Sequence, residues 1–307
     1  MENLQTHAFF GKEVLPFLAG IYPQLYVPPA EDALETWRGI VLSGEDAPGH
    51  SLAHFIMNPA DSSVIEETPA GPVRSVTLYE RADFETFLQI MAHRCVPVSI
   101  PPTQGASLLD GIVNWEKIRA HENEFLFSQR AEGNPDPDWN EEFRRFTSEK
   151  TNYTDAILIL SAGPYSAVPG TEFGIEESQW RQDSVTIRKY HELNHFICRR
   201  LWPEKISAVW DELVADAVGI YAAYGKYDSS MAERFLGISG CTYTGGRLEN
   251  YVEEENPARK QETLDRLAQK IHPVLCTFAD VIQAGAGIEP FAMIPLLEDL
   301  FQGDIET

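Results

Sequence analysis

The spacing of apolar residues changes along the chain, from short strand-like runs in the first half to longer helical periods in the second. In the first half, Arg74–Tyr79 and the apolar run Ala156–Ser161 predict strands, and Asp83–Arg94 predicts an amphipathic helix. From Ser184, where Asp183 or Ser184 could cap the first helix, the pattern predicts helices at about 184–201, 205–224, 229–236, 257–272 and 290–301. This order predicts an α+β fold, with a small mixed sheet in the first half and a mostly helical C-terminal half.

Segments rich in turn-forming residues interrupt this pattern at Ser43–His50, Asn58–Pro72 and Ala131–Asp138. The last of them lies between the two halves, so we place a domain boundary there. It separates an N-terminal α+β region (1–135), whose role the sequence leaves open, from a helical C-terminal region (136–307). A single domain is the alternative, because 307 residues can form one large core or two smaller ones.

The amino-acid composition, and above all the net charge, limits the kinds of partner that we expect the protein to bind. The chain has 47 acidic and 24 basic residues and a formal net charge of −23, which opposes binding to phosphate backbones and to anionic lipid. Its start lacks the pattern of a signal peptide, no apolar run reaches about 18 residues, and the four cysteines lie far apart. We therefore expect an acidic cytoplasmic protein that binds neither nucleic acid nor membranes.

One motif suggests chemistry. Residues 191–195 are His-Glu-Leu-Asn-His, inside the predicted helix 184–201. Two histidines four positions apart lie on one helix face, about one turn apart, as two ligands of one metal ion require. The motif lies on a narrow polar stripe with Ser184, Arg188 and Arg199, on a helix that is otherwise apolar. By itself, such a stripe is equally consistent with a solvated helix face.

The next predicted helix decides between these interpretations. Its residues 206–224 include three charged side chains, Asp211, Glu212 and Asp216, and the last two share a face with alanines and Gly219. A helix so apolar should be buried, and buried carboxylates need cationic partners. Helices joined by a short turn pack antiparallel, which would bring the two polar stripes face to face.

His-Glu-x-x-His followed on the next helix by Glu-x-x-x-Asp resembles the signature of the gluzincin zinc peptidases, the thermolysin-like enzymes. The resemblance covers residues 191–216 and implies a zincin-like C-terminal region that holds one Zn²⁺ per chain. It implies that the metal ligands are His191, His195 and Glu212. It also implies that Glu192 is the base that activates a metal-bound water, and that Asp216 hydrogen-bonds a ligand histidine.

Two features depart from that family. Glu212 follows His195 by 17 positions, which is a short separation for it, and Arg188 and Lys189 place charge directly before the motif. These departures bear on peptidase activity more than on metal binding.

We therefore predict a zinc-dependent hydrolase whose substrate is a peptide or another amide. Candidate donors to the reacting oxygen lie downstream: Tyr243, Arg247, Tyr251 and His272. By analogy with zincins, Ala156–Ser161 would be an edge strand that pairs with an extended peptide. Two alternatives stay open. One is a structural or vestigial metal site in a non-catalytic protein whose acidic surface binds a protein partner. The other is a redox metal site built on the Glu-x-x-His unit of residues 192–195, although the sequence contains no second such unit.

Overall fold

The computed structural model describes residues 8–203, 207–285 and 287–300. Within these ranges the chain forms seven β-strands and ten α-helices. The first half contains a mixed sheet and the second half is mostly helical, which confirms the predicted α+β class. The chain divides into two compact units. Unit 1 contains the chain up to Glu66 together with Pro72–Ser161, and unit 2 contains Glu67–Gly71 and the chain from Ala162 onward.

Unit 1 contains a five-stranded sheet with the strand order β1-β2-β3-β5-β4. Its strands are β1 (Phe9–Phe10), β2 (Ser62–Thr68), β3 (Gly71–Leu78), β4 (Ala106–Val113) and β5 (Thr154–Ser161). Strand β5 pairs in parallel with β3 and antiparallel with β4. The expectation that Ala156–Ser161 forms an edge strand is therefore wrong. Ile157–Leu160 are fully buried, and burial of both faces of an interior strand explains the continuous apolar run.

Five helices belong to unit 1: α1 (Val14–Ile21), α2 (Leu34–Ser43), α3 (Arg81–Met91), α4 (Trp115–Ala131) and α5 (Trp139–Thr147). Helix α3 buries Phe84, Phe87 and Leu88 in the core of the unit, as its amphipathic pattern predicts. The segment at 131–138, where we placed a domain boundary, connects α4 to α5 inside unit 1. The observed division lies after the end of β5 instead. Strand β4 precedes α4 and α5 in the chain and β5 comes after them, and the pairing of these two strands keeps both helices in unit 1.

Unit 2 contains α6 (Glu177–Leu201), α7 (Ala208–Tyr224), α8 (Ser229–Leu236), α9 (Pro257–Ala284) and α10 (Pro290–Glu298), with a short hairpin of β6 (Ile238–Ser239) and β7 (Thr242–Tyr243). Helix α6 begins at Glu177, so neither Asp183 nor Ser184 caps it, in contrast to our expectation. Helix α9 continues past the predicted end at 272. The predicted helix limits at 205 and 301 lie outside the described residues. No described helix is both long and apolar enough to cross a bilayer.

Helices α6 and α7 pack against each other in antiparallel directions. A Cβ atom on Gly219 of α7 would lie 2.6 Å from the carbonyl oxygen of Ile187 on α6, so this close approach requires a glycine. The alanines and Gly219 that share this face with Glu212 and Asp216 leave room for the neighbouring backbone. The close packing places His191 and His195 of the polar stripe against the three acidic residues of α7.

Candidate metal centre

The two histidines of α6 and Glu212 of α7 bring their side-chain donor atoms together. The Nε2 atoms of His191 and His195 lie 3.0 Å apart. They lie 3.5 Å and 3.4 Å from Oε2 and Oε1 of Glu212, respectively. One donor atom from each of the three residues lies within 4.8 Å of the other two. Tetrahedral zinc with bonds of about 2.0–2.1 Å separates its ligand atoms by about 3.3 Å, so the observed spacing fits an ion of this size.

The centre is buried. His191 is 5% exposed and His195 is 6% exposed, so this part of the α6 stripe is not a solvated helix face. Arg199, at the far end of the stripe, is exposed. Burial of polar side chains requires partners for each of their nitrogen and oxygen atoms, and both imidazoles have them.

The partner of His195 is Asp211, whose Oδ2 lies 2.7 Å from the imidazole Nδ1. Burial alone would lower the pKa of His195, but hydrogen bonds with Asp211 and Glu212 outweigh burial and raise the pKa to about 10. Neither the helical pattern nor the resemblance to gluzincins predicted a role for Asp211. A signal was present, because Asp211 is one of three charged residues in a helix that is otherwise apolar.

The partners of His191 are Asp216 and Tyr165. The imidazole Nδ1 lies 3.0 Å from Oδ1 of Asp216 and 2.8 Å from the phenol oxygen of Tyr165. The same phenol donates a hydrogen bond of 2.6 Å to Oδ1 of Asp216. Arg247 donates to Oδ2 of Asp216 and, at 2.9 Å, to the phenol oxygen. The structure thus places Asp216 beside a ligand histidine, as the resemblance implies, and adds Tyr165, which the sequence analysis missed.

The charges of the cluster favour a cation. Burial would raise the pKa of Asp216, but Arg247 and His191 outweigh it and lower that pKa. His191, His195 and Arg247 likewise lower the pKa of Glu212 against the effect of its burial. Metal ligation requires neutral imidazoles, and in that state the carboxylates of Asp211, Glu212 and Asp216 and the guanidinium of Arg247 together carry two net negative charges. A divalent metal ion would neutralise this charge.

The other predicted residues divide into two groups. Arg247 lies at the centre, with its Nη2 3.6 Å from Oε2 of Glu212. Burial and the negative charge of Glu212 raise the pKa of Tyr251, so this tyrosine lies close to the carboxylate of Glu212. The hydroxyl of Tyr243 instead hydrogen-bonds the backbone of Gly246, at 2.9 and 3.0 Å. The Nδ1 atom of His272 lies 2.5 Å from a carboxylate oxygen of Glu233 on α8.

The proposed base, Glu192, is half-buried next to His191 on α6. Within residues 8–203, 207–285 and 287–300, it forms no hydrogen bond and no ion pair. Its carboxylate is therefore not committed to a structural contact in this part of the chain.

The fold and this geometry define an α+β protein with a candidate divalent-metal centre of two histidines and one glutamate. The chain belongs to a family of unknown function (DUF7005), whose model matches residues 14–297. No curated protein and no solved structure is significantly similar to it. The resemblance to gluzincins therefore rests on the residues of the centre alone.

Proposed function

We propose that this protein is a zinc-dependent hydrolase that cleaves a peptide or another amide bond. The convergence of two imidazole Nε2 atoms and one carboxylate in a buried centre is the observation that supports it most. Each imidazole has an aspartate at its Nδ1 atom. An aspartate accepts the Nδ1 hydrogen, so each Nε2 atom directs its lone pair toward the centre. Two such nitrogens 3.0 Å apart need either a proton or a metal ion between them, and the carboxylate of Glu212 beside them favours a metal ion.

The donor set supports catalysis over a purely structural role. Structural zinc sites have four protein ligands, whereas two histidines and one glutamate leave a position open. When bound there, zinc supplies a Lewis acid that polarises a carbonyl group and lowers the pKa of water. Glu192 accepts the proton of the attacking water and returns it to the leaving nitrogen. Arg247 and Tyr251 are the candidate donors to the oxygen that gains negative charge.

Metal content tests the first half of the proposal. Elemental analysis of the purified protein should find about one zinc per chain, as expected for a site with a single set of three ligands. The variants His191→Ala and His195→Ala should each lose the metal while Asp211→Asn retains part of it. Absence of bound metal from the wild type after zinc loading would refute the proposal.

Hydrolysis tests the second half. Glu192→Gln should retain zinc and lose at least about a hundredfold in cleavage of a peptide library, since general-base catalysis contributes about 10²–10⁴-fold. The matched control is Glu177→Gln, which removes the same charge from an exposed position of α6 and should cleave like the wild type. A zinc-loaded wild type that leaves the whole library intact would favour the structural site instead.

A further inference from the structure

A short segment at the start of unit 2, Gly163–Ala167, carries Tyr165 to the candidate metal centre. Helix α6 holds this segment at two points. Ser184 accepts a hydrogen bond of 3.0 Å from the backbone N–H of Tyr165. The guanidinium of Arg188 donates to the carbonyl oxygens of Gly163 and Pro164, each at 3.1 Å. The backbone from Gly163 to the Tyr165 N–H is therefore anchored to the helix that bears the histidines.

The backbone that follows Tyr165 is strained. Ser166 has a φ of 50° and Ala167 has a φ of 58°, so two successive residues with side chains adopt the left-handed region. Such conformations persist where surrounding contacts impose them, and they concentrate at functional sites. Here Arg247 also contacts the segment, through a hydrogen bond of 3.4 Å to the hydroxyl of Ser166.

The hydrogen bonds of the Tyr165 phenol assign the protons around His191. At 2.6 Å from the carboxylate oxygen of Asp216, the phenol must donate its single proton to that oxygen. The phenol oxygen can then only accept from its two other neighbours, Arg247 at 2.9 Å and the Nδ1 atom of His191 at 2.8 Å. Nδ1 of His191 therefore carries a hydrogen, and its Nε2 atom keeps the lone pair that a metal ligand needs.

Asp216 alone would restrain this imidazole less well. Its Oδ2 binds Arg247, and its Oδ1 is shared between the phenol and the imidazole, which lies slightly farther from it, at 3.0 Å. His195, in contrast, has a direct bond of 2.7 Å to Asp211. The ring of Tyr165 also packs edge-on against the ring of His191, with a centroid separation of 5.9 Å.

We propose that Tyr165 is a positioning residue of the metal centre, whose hydroxyl group fixes the tautomer and the ring orientation of His191. This inference rests on the metal-binding half of the proposed function and does not depend on hydrolysis. The phenol donates to the carboxylate, accepts from the imidazole and holds Arg247 in place. It therefore connects three groups of the candidate metal centre, namely His191, Asp216 and Arg247.

The test is the zinc affinity of Tyr165→Phe, measured by competition with a chromophoric chelator. Loss of an outer partner of a ligand histidine typically weakens metal binding by about 10–100-fold, and we expect a loss in that range. The matched control is Tyr221→Phe on α7. It also removes a tyrosine hydroxyl, which donates at 2.9 Å to the carbonyl oxygen of Ile288, but it should change zinc affinity less than about twofold.

Co²⁺ in place of zinc gives a second readout, because its visible spectrum reports the geometry of the ligands. The spectrum of Tyr165→Phe should differ from that of the wild type, whereas that of Tyr221→Phe should not. Should Tyr165→Phe fail to fold, Ser184→Ala removes the anchor of the Tyr165 backbone and should weaken zinc binding several-fold.

The outcomes separate this inference from the proposed function. Equal zinc affinity and equal cobalt spectra of Tyr165→Phe and the wild type would overturn the inference alone. A loss of affinity in Tyr165→Phe, with no hydrolysis by the wild type, would support the inference and count against the hydrolase. A wild type that binds neither metal would overturn both.

Discussion

Buried aspartates occur in both units, but they have different partners. In unit 1, Asp61 and Asp83 are each 1% exposed. Asp83 accepts hydrogen bonds of 2.8 Å from the backbone N–H groups of Ile56 and Met57. Asp61 accepts from two backbone N–H groups, at 3.0 and 2.8 Å. These carboxylates hold loops in place, because their partners are fixed backbone donors that need no ion.

In unit 2, Asp216 is fully buried and Asp211 is 7% exposed, and both face imidazole nitrogens. An imidazole differs from a backbone amide because it has a second nitrogen. Each aspartate contacts the Nδ1 atom of its imidazole. The Nε2 atom of the same imidazole then faces the centre, where Glu212 also lies. Burial of a carboxylate therefore does not mark a functional site. A functional site is indicated when the partners of buried carboxylates are imidazoles and the second nitrogens of these imidazoles converge.

The largest effect should come from Asp216→Asn. This substitution removes the nearest counter-charge of Arg247 and leaves it only Glu212, 3.6 Å away. Breaking a buried ion pair costs about 3–5 kcal/mol, which sets the upper limit of the expected loss. Urea denaturation should show that loss in the free energy of unfolding, and chelator competition should show weaker zinc binding. A loss of stability with unchanged zinc affinity would mean that Asp216 resembles the structural aspartates of unit 1.

A smaller effect should follow from Asp83→Asn, the matched substitution in unit 1. An asparagine side chain can accept only one of the two backbone hydrogen bonds through its single oxygen, so we expect a loss of about 1–3 kcal/mol. Zinc affinity should equal that of the wild type, because Asp83 contacts no group of the metal centre. Weaker zinc binding in this variant would contradict the separation of structural and functional aspartates.

The smallest effect concerns the pH dependence of stability through Asp61. Burial raises its pKa from 3.8 to about 6, helped by the charges of Asp83 and Glu80 and opposed by the hydrogen bonds from Tyr79 and Asn58. A raised pKa in the folded state means that the stabilisation is complete below pH of about 4 and is lost as pH rises through about 6.

Urea denaturation between pH 4 and pH 7 should therefore show a fall on the order of 1 kcal/mol in the free energy of unfolding, because local relaxation offsets part of the shift. Asp61→Asn does not titrate and should reduce this slope. An unchanged slope in Asp61→Asn would show that the hydrogen bonds from Tyr79 and Asn58 offset burial, so that folding does not raise the pKa of Asp61.

Periodicity predicted the helices of unit 2, and the resemblance to gluzincins implied the three residues of the candidate centre. His191 and His195 are four positions apart on one helix, and this local spacing alone places them on one face. Glu212 stands out because α7 is apolar on nearly every side, which forces its few acidic residues to find partners. The sequence therefore determined the helix types and indicated which residues meet across them.

Only the tertiary structure decided the position of β5 inside the sheet and the places of Tyr165, Asp211 and Arg247 around the centre, whereas the resemblance had already implied the role of Asp216. Tyr165 lies 26 positions before His191, and Arg247 lies 31 positions after Asp216, both outside the two helices. Their side chains reach the centre because long-range contacts position the segments that carry them. A periodic pattern of apolar residues contains no information about such contacts. An apolar run is likewise compatible with any buried place in a sheet, so strand order depends on pairing and not on composition.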